Sequence, residues 1–299
     1  MTGAAATNRV RAQPAQGAKK GRKKDPEINQ RSGKKDVRKR GKEKSASSAF
    51  ICVPFTSANR PRGNVLVKKQ ISLIAIDGPA ASGKSTVGRL LAEKLHFLYL
   101  DTGCMYRAIT WAALQRGIDV ADETAVTQLA RNIQIDIYPA RGEADGRHYT
   151  VHVDGQDITW GLRTPAVDAN VSQVSSYLGV RREMVKRQRA FGQRGAVVMV
   201  GRDIGTVVMP EAPLKLYITA SSAERARRRT HDRQAQGHTA DYGDILADVQ
   251  RRDEIDSNRE HSPLRPAADA ILIDSTDRSP VEIVDAIFQM LKEPVNGNR

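Results

Sequence analysis

An α/β fold, a parallel sheet flanked by helices, follows from three observations on this 299-residue chain. Short apolar, β-rich runs recur at residues 71–77, 97–100, 196–200, 214–218 and 270–273 with little polar alternation, as strands buried on both faces require. Segments with apolar residues at helical spacing separate them, the alternation that covers a parallel sheet. The first run breaks off at a glycine-rich turn over 78–86 that opens onto a helical pattern, as in a P-loop NTPase fold.

Taken in order, the strand at 71–77 leads through the turn to a helix carrying Val87, Leu90, Leu91 and Leu95. The strand at 97–100 follows, then helices over about 103–116 and from about 122, with Asp122 or Thr124 as the cap. After Asn132 the period changes. Ile133, Ile135 and Ile137 alternate with polar residues, 142–146 reads as a turn, and 148–153 alternates again, so a small antiparallel subdomain is inserted at about 132–165. Helices are predicted over about 165–178 and 180–194, a charged helical lid over about 221–259, and a closing amphipathic helix over about 280–292.

The charge is unevenly distributed. Of 48 Lys+Arg and 34 Asp+Glu, residues 1–70 hold 19 and 4, a net of +15, which leaves 29 and 30 beyond them, a net of −1. A wholly basic nucleic-acid-binding fold is therefore disfavoured. Residues 1–69 lack an apolar period and are expected to be a disordered basic tail, able to touch RNA or another polyanion; the folded domain is expected over 70–295. No apolar run approaches the roughly 20 residues of a membrane span. With only Cys52 and Cys104, neither a disulfide framework nor a C-x-x-C metal site can form, and a reducing, cytoplasmic setting is expected.

The turn Gly78-Pro79-Ala80-Ala81-Ser82-Gly83-Lys84-Ser85-Thr86 satisfies G-x-x-x-x-G-K-[ST] between a strand and a helix. Its glycines let backbone N–H groups converge on phosphate oxygens, Lys84 reaches the β/γ-phosphates, and Ser85 offers a hydroxyl to Mg²⁺. These parts suit ATP with Mg²⁺. No N-K-x-D guanine-reading motif is present. The second strand instead runs into Asp101-Thr102-Gly103-Cys104-Met105-Tyr106-Arg107.

With that segment the sequence resembles the bacterial-type cytidylate kinases of the nucleoside monophosphate kinase group, over about residues 71–292. The matching motifs are the phosphate loop, the segment 101–107, Arg187-Gln188-Arg189-Ala190-Phe191, Gly201-Arg202-Asp203-Ile204-Gly205-Thr206-Val207-Val208, and Arg252-Asp253 through Asn258-Arg259. The resemblance implies transfer of the γ-phosphoryl of ATP to CMP or dCMP by a monomeric kinase domain, with the insert as the NMP-binding subdomain. It implies that Arg107 and Arg202 bind the acceptor phosphate, beside Tyr106, and that Thr102, Arg181, Asp203 and Arg259 select cytosine. Ser172, Arg252 and Asp256 are implied at the sugar, and Arg225, Arg228 and Arg229 as lid arginines over the transferring group. Asp101 is a candidate, by position, for a water-mediated Mg²⁺ contact.

The chemistry supports these residue types. Arginine gives a phosphate permanent charge and bidentate geometry, and positioned cations are the main device for phosphoryl transfer. Arg252, Asp256 and Arg259, at i, i+4 and i+7, lie within about 60° of one another on a helix. A plain alternative is a solvated Arg252–Asp256 pair worth a few tenths of a kcal/mol, about 0.2–0.5, and a solubilising face for the lid arginines. Cys104 is expected to be a packed small side chain, and Trp111 and Trp160 to be packing residues. His148 and His152 sit on the polar face of a strand with no third ligand apparent, so no metal site is read there. Two other classes remain open: a small-molecule kinase for a different substrate, or an RNA- or ribosome-associated P-loop protein whose tail binds.

Overall fold

A computed structural model describes residues 71–140, 142–235, 237 and 239–292. The basic tail expected over 1–69 lies outside the described residues. The main sheet contains β1 (Leu73–Asp77), β2 (Leu98–Asp101), β6 (Val197–Gly201), β7 (Leu214–Thr219) and β8 (Ile271–Asp274), all parallel, in the order β2-β6-β1-β7-β8. β1 is central and buried throughout, which explains its unbroken apolar run. Its side chains alternate between two cores. Leu73 and Ala75 join one with Leu100 and Met199, while Ile74 and Ile76 join the other with Val198, Leu216 and Ile218.

Helix α1 (Lys84–Leu95) and the C-terminal α8 (Pro280–Met290) cover the second face through Val87, Leu91, Ile283 and Ile287. Close approach of α1 requires Gly88, whose added Cβ would lie 2.5 Å from Val200 Cγ2. The opposite face is covered by α2 (Gly103–Gln115), α3 (Glu123–Asn132), α4 (Pro165–Val174) and α5 (Leu178–Gly192). Asp122 caps α3 by accepting from the Ala125 amide. The predicted helices at 165–178 and 180–194 are separated at 175–177, where the Ser175 and Ser176 hydroxyls donate to the Ser172 and Gln173 carbonyls and close α4.

Between α3 and α4, β3 (Ile135–Pro139), β4 (Tyr149–Val153) and β5 (Gln156–Asp157) form a separate antiparallel sheet. Ile135, Ile137, Val151 and Val153 bury its inner face, and His152 packs edge-on to Tyr138 on the other. Trp160 departs from its expected packing role: it is 57% exposed, and its Nε1 donates to Asp145, because the 142–147 turn reaches back over it. The segment 221–259 divides into α6 (Ser222–Ala235) and α7 (Tyr242–Asn258), the second capped by Asp241. These two helices share their own small core of Ala226, Ile245 and Val249, a burial on the order of 5 kcal/mol for the two larger side chains.

Two connections organise the C-terminal edge of the sheet, where parallel α/β folds bind ligands. Gly78 has φ 152°, and a Cβ there would sit 2.0 Å from the Ile218 carbonyl oxygen, so only glycine lets the phosphate loop leave β1 this close to β7. Asp77, the last residue of β1, accepts from the Ile204 amide at 2.7 Å and the Gly205 amide at 2.8 Å. Those amides open a π-helical turn, Ile204–Val208, that the apolar sequence pattern did not reveal. Arg189 holds its far end by donating to the Val207 and Val208 carbonyls, while Arg187 ties α5 to α3 through the Ala130 and Ile133 carbonyls.

Burial outweighs the two amide bonds and pushes the Asp77 carboxyl from its ordinary 3.8 up to about 6. A raised carboxyl pKa favours the fold when protonated and loses that advantage as pH rises through the folded value. Relative to Asp77→Asn, the wild-type unfolding free energy should therefore fall by up to about 3 kcal/mol between pH 4 and pH 7. Denaturant unfolding across that range checks this, and a pH-independent difference would contradict it.

Candidate active site

The phosphate loop after β1 and the ends of β2 and β6, together with α2, α4, α5, α6 and α7, line a cleft of about 450 Å³. At one end is the phosphate loop. Lys84 Nζ donates to the Pro79 carbonyl at 2.9 Å, and burial followed by the Arg202 charge holds its pKa well below the usual lysine value. A bound polyphosphate would supply an anionic partner that favours the charged form of Lys84. The Ser85 hydroxyl donates to Asp101 Oδ2 at 2.9 Å, so two hard oxygen groups stand together beside the loop.

The opposite end contains ion pairs. Arg181, 4% exposed, donates to Asp203, 6% exposed, and to the Ser175 carbonyl. Arg259 stands 4.0 Å from Asp203 and 3.9 Å from Asp256. Asp256 accepts from Arg202 Nε at 3.0 Å, so the plain alternative of a solvated Arg252–Asp256 pair across one helical turn is not what forms. Arg107 donates to the Leu162 carbonyl at 2.8 Å and pairs with Asp168 at 2.7 Å. The Thr102 hydroxyl donates to the Val200 carbonyl.

Five buried polar atoms of cleft residues have no hydrogen-bond partner: Tyr106 Oη, Ser172 Oγ, Arg181 Nε, Arg252 Nε and Arg259 Nη2. Such atoms each cost about 1–3 kcal/mol when left unpaired, so their convergence marks a place for a polar ligand. Arg252 is held below its ordinary value by burial and by its cationic neighbours: burial, then Arg107, Arg202 and Arg229, push its guanidinium down to about 10.

The cleft brings together Ala80, Ala81, Lys84 and Ser85 of the loop with Asp101, Thr102, Tyr106, Arg107, Ser172, Arg181, Arg202, Asp203, Arg229, Arg252, Asp256 and Arg259. It does not include Arg225 or Arg228. Arg225 is buried against the Ala80 and Ala220 carbonyls and pairs with Asp253. Arg228 donates to the Ser275 carbonyl, and the Ser275 hydroxyl donates to the Ser82 carbonyl. Both arginines therefore brace the phosphate loop from behind, while Arg229 one step further enters the cleft. Burial pushes the Cys104 thiol well above its usual value, leaving it an inert packing group.

Among the lining residues that sequence reasoning missed are Tyr149, Arg163, Asp168, Asp232 and Arg233. Arg233 stands one helical turn beyond Arg229, a spacing that could have indicated it. Nothing in the local sequence singled out Asp168, whose partners lie on other helices.

A phosphate loop at the C-terminal edge of a parallel sheet, facing an arginine-rich cleft under a helical pair, defines a P-loop protein of the small-kinase type. The cytidylate kinase family model matches residues 74–293. A cytidylate kinase from Roseiflexus castenholzii (strain DSM 13941 / HLO8) is 50% identical over 222 residues, covering 74% of this chain and 94% of that protein. The cytidylate kinase of Bacillus subtilis (strain 168) is 44% identical over 227 residues, covering 76% and 99%. A bifunctional pantoate ligase/cytidylate kinase from Synechococcus sp. (strain JA-3-3Ab) is 49% identical over 221 residues, but the match spans only 41% of its length. The chain belongs to the cytidylate kinase family.

Breaking the buried pair at the far end of the cleft would leave the Asp203 carboxylate without its hydrogen-bonded partner, facing Arg259 only at 4.0 Å. Arg181→Leu should cost about 3–5 kcal/mol of unfolding free energy, and adding Asp203→Asn should recover at least half of it. Chemical denaturation of both variants measures this; no recovery in the double variant would mean that the pair is not coupled.

Proposed function

We propose that residues 70–295 transfer the γ-phosphoryl group of ATP to the 5′-phosphate of CMP or dCMP, producing ADP and CDP or dCDP. One observation carries the reading: a single cleft has a triphosphate loop at one end and the buried Arg181–Asp203 pair at the other, with arginines between them. Two phosphorylated ligands entering from these ends would meet at Arg107, Arg202 and Arg229.

Each group has a physical task. The loop amides and Lys84 hold the triphosphate. Arg107 and Arg202 align the acceptor phosphate, which is largely a dianion at neutral pH, so no general base is required. Charge on the equatorial oxygens of the transferring group is met by positioned cations, Lys84, Arg202 and Arg229 among them. Arg225 and Arg228 contribute through the loop they brace. Thr102, Arg181, Asp203 and Arg259 face the base: Asp203 accepts from the cytosine N4 amino group, and arginine donates to N3 and O2. Uracil presents the opposite pattern at two of these positions and would leave buried groups unpaired. Ser172, Arg252 and Asp256 face the sugar, where unpartnered Ser172 Oγ and Arg252 Nε await hydroxyl partners.

Ser85 and Asp101 fit a Mg²⁺ site, because their hard oxygens stand beside the loop and Mg²⁺ uses one or two protein oxygens with substrate phosphates. When bound, the ion would neutralise charge on the phosphate oxygens. In this reading the reaction belongs to cytoplasmic pyrimidine nucleotide metabolism.

A coupled assay of ADP release with CMP, dCMP, UMP, AMP and GMP should show preference for the cytidine nucleotides. Equal turnover of UMP would overturn the base assignment. Lys84→Ala should lower kcat about 100-fold or more while circular dichroism stays unchanged; full activity would remove the phosphate loop from the reaction.

A further inference from the structure

We propose that Asp168 is a positioning residue for phosphoryl transfer: its carboxylate gathers arginines from two separate helices before substrates bind and yields them to the incoming phosphates. The inference rests on the kinase reading above but concerns a residue outside the sequence motifs.

Asp168 lies in the first turn of α4. Its Oδ1 is 2.7 Å from Arg107 Nη1 on α2. Its Oδ2 is 3.2 Å from Arg229 Nη2 and 3.5 Å from Arg233 Nη2, both on α6. One carboxylate thus bridges a helix of the core and a helix of the charged pair. All four residues line the cleft. Burial works against ionisation of Asp168, yet Arg107 and Arg229 hold its pKa below the ordinary carboxylate range.

Three guanidiniums placed together repel one another, and the repulsion is strongest where burial limits screening. Burial first, and then the charges of Arg107, Arg202 and Arg229, push the Arg252 guanidinium below its ordinary value, so Arg107 and Arg229 already act on a neighbouring cation. Arg229 has a second, weaker partner in Asp248 at 3.6 Å, so its position is set from both sides. A carboxylate offers two oxygens and one charge. A phosphate offers three oxygens and up to two charges, and so outcompetes it for the same guanidiniums.

Asp168 therefore has two opposed effects. It holds Arg107, Arg229 and Arg233 near the positions where transferring oxygens will need them, which favours the chemical step. It also competes with bound anions, which weakens the ground-state complex. A residue that merely supported the fold would not separate these effects in opposite directions.

The test compares wild type, Asp168→Asn, Asp168→Ser and Asp168→Glu. Calorimetry at low salt measures binding of CMP and, separately, inorganic pyrophosphate; steady-state kinetics with CMP and ATP gives kcat and KM. Both uncharged variants should bind the two anions about threefold more tightly and lose about tenfold or more in kcat, with KM for CMP lowered. Glutamate should restore part of kcat. Unchanged or weaker anion binding, or an unchanged kcat, in whichever uncharged variant melts as wild type does, would overturn the proposal. Failure of the wild type to phosphorylate CMP would instead reject the kinase reading, while the pyrophosphate measurement would still report on Asp168.

Discussion

The site depends on the clasp made by Asp77. This carboxylate ends the central strand, one residue before the phosphate loop, and accepts the backbone amides of Ile204 and Gly205. The same turn follows directly on Arg202 and Asp203. One side chain thereby sets the separation between the loop that suits a triphosphate and the residues at the other end of the cleft. Its raised pKa shows that burial is not fully offset by the two hydrogen bonds. The clasp organises the cleft at some cost in stability, a trade that buried polar groups at functional sites commonly make.

Around this frame the arginines divide by task. Arg187 and Arg189 satisfy carbonyls at helix and turn ends, and Arg225 and Arg228 brace the phosphate loop. Arg107, Arg202, Arg229 and Arg252 are left around the middle of the cleft, with Asp168 and Asp256 as their carboxylate partners. The division follows from geometry, since a guanidinium already donating to several carbonyls has few donors left for a ligand. The unpaired donors in the same cleft are the sign that polar ligands complete it.

The phosphate loop was legible in the sequence because its residues are contiguous and its flanking strand and helix have distinct periods. The shared face of Arg252, Asp256 and Arg259 was legible for a similar reason, since helical spacing alone places them together. Arg225 and Arg228 were harder to assign. The helical face could be read from spacing, but which carbonyls it meets depends on β8 and the loop after it. Asp168 left no local signal, and the motif 201–208 did not disclose the π-helical turn that Asp77 holds, because their partners come from segments 61 and 127 residues away. Trp160 shows the same limit, since its exposure is decided by the inserted turn near Asp145. Periodicity reports which residues share an element; it does not report which elements meet.

A crystal structure with CMP and a non-hydrolysable ATP analogue bound together is the most direct measurement. The triphosphate should lie on the amides of residues 78–86, the cytosine should face Arg181 and Asp203, and the acceptor phosphate should meet Arg107 and Arg202. Cytosine bound away from the Arg181–Asp203 pair, or an acceptor phosphate out of line with the γ-phosphoryl group, would contradict this arrangement.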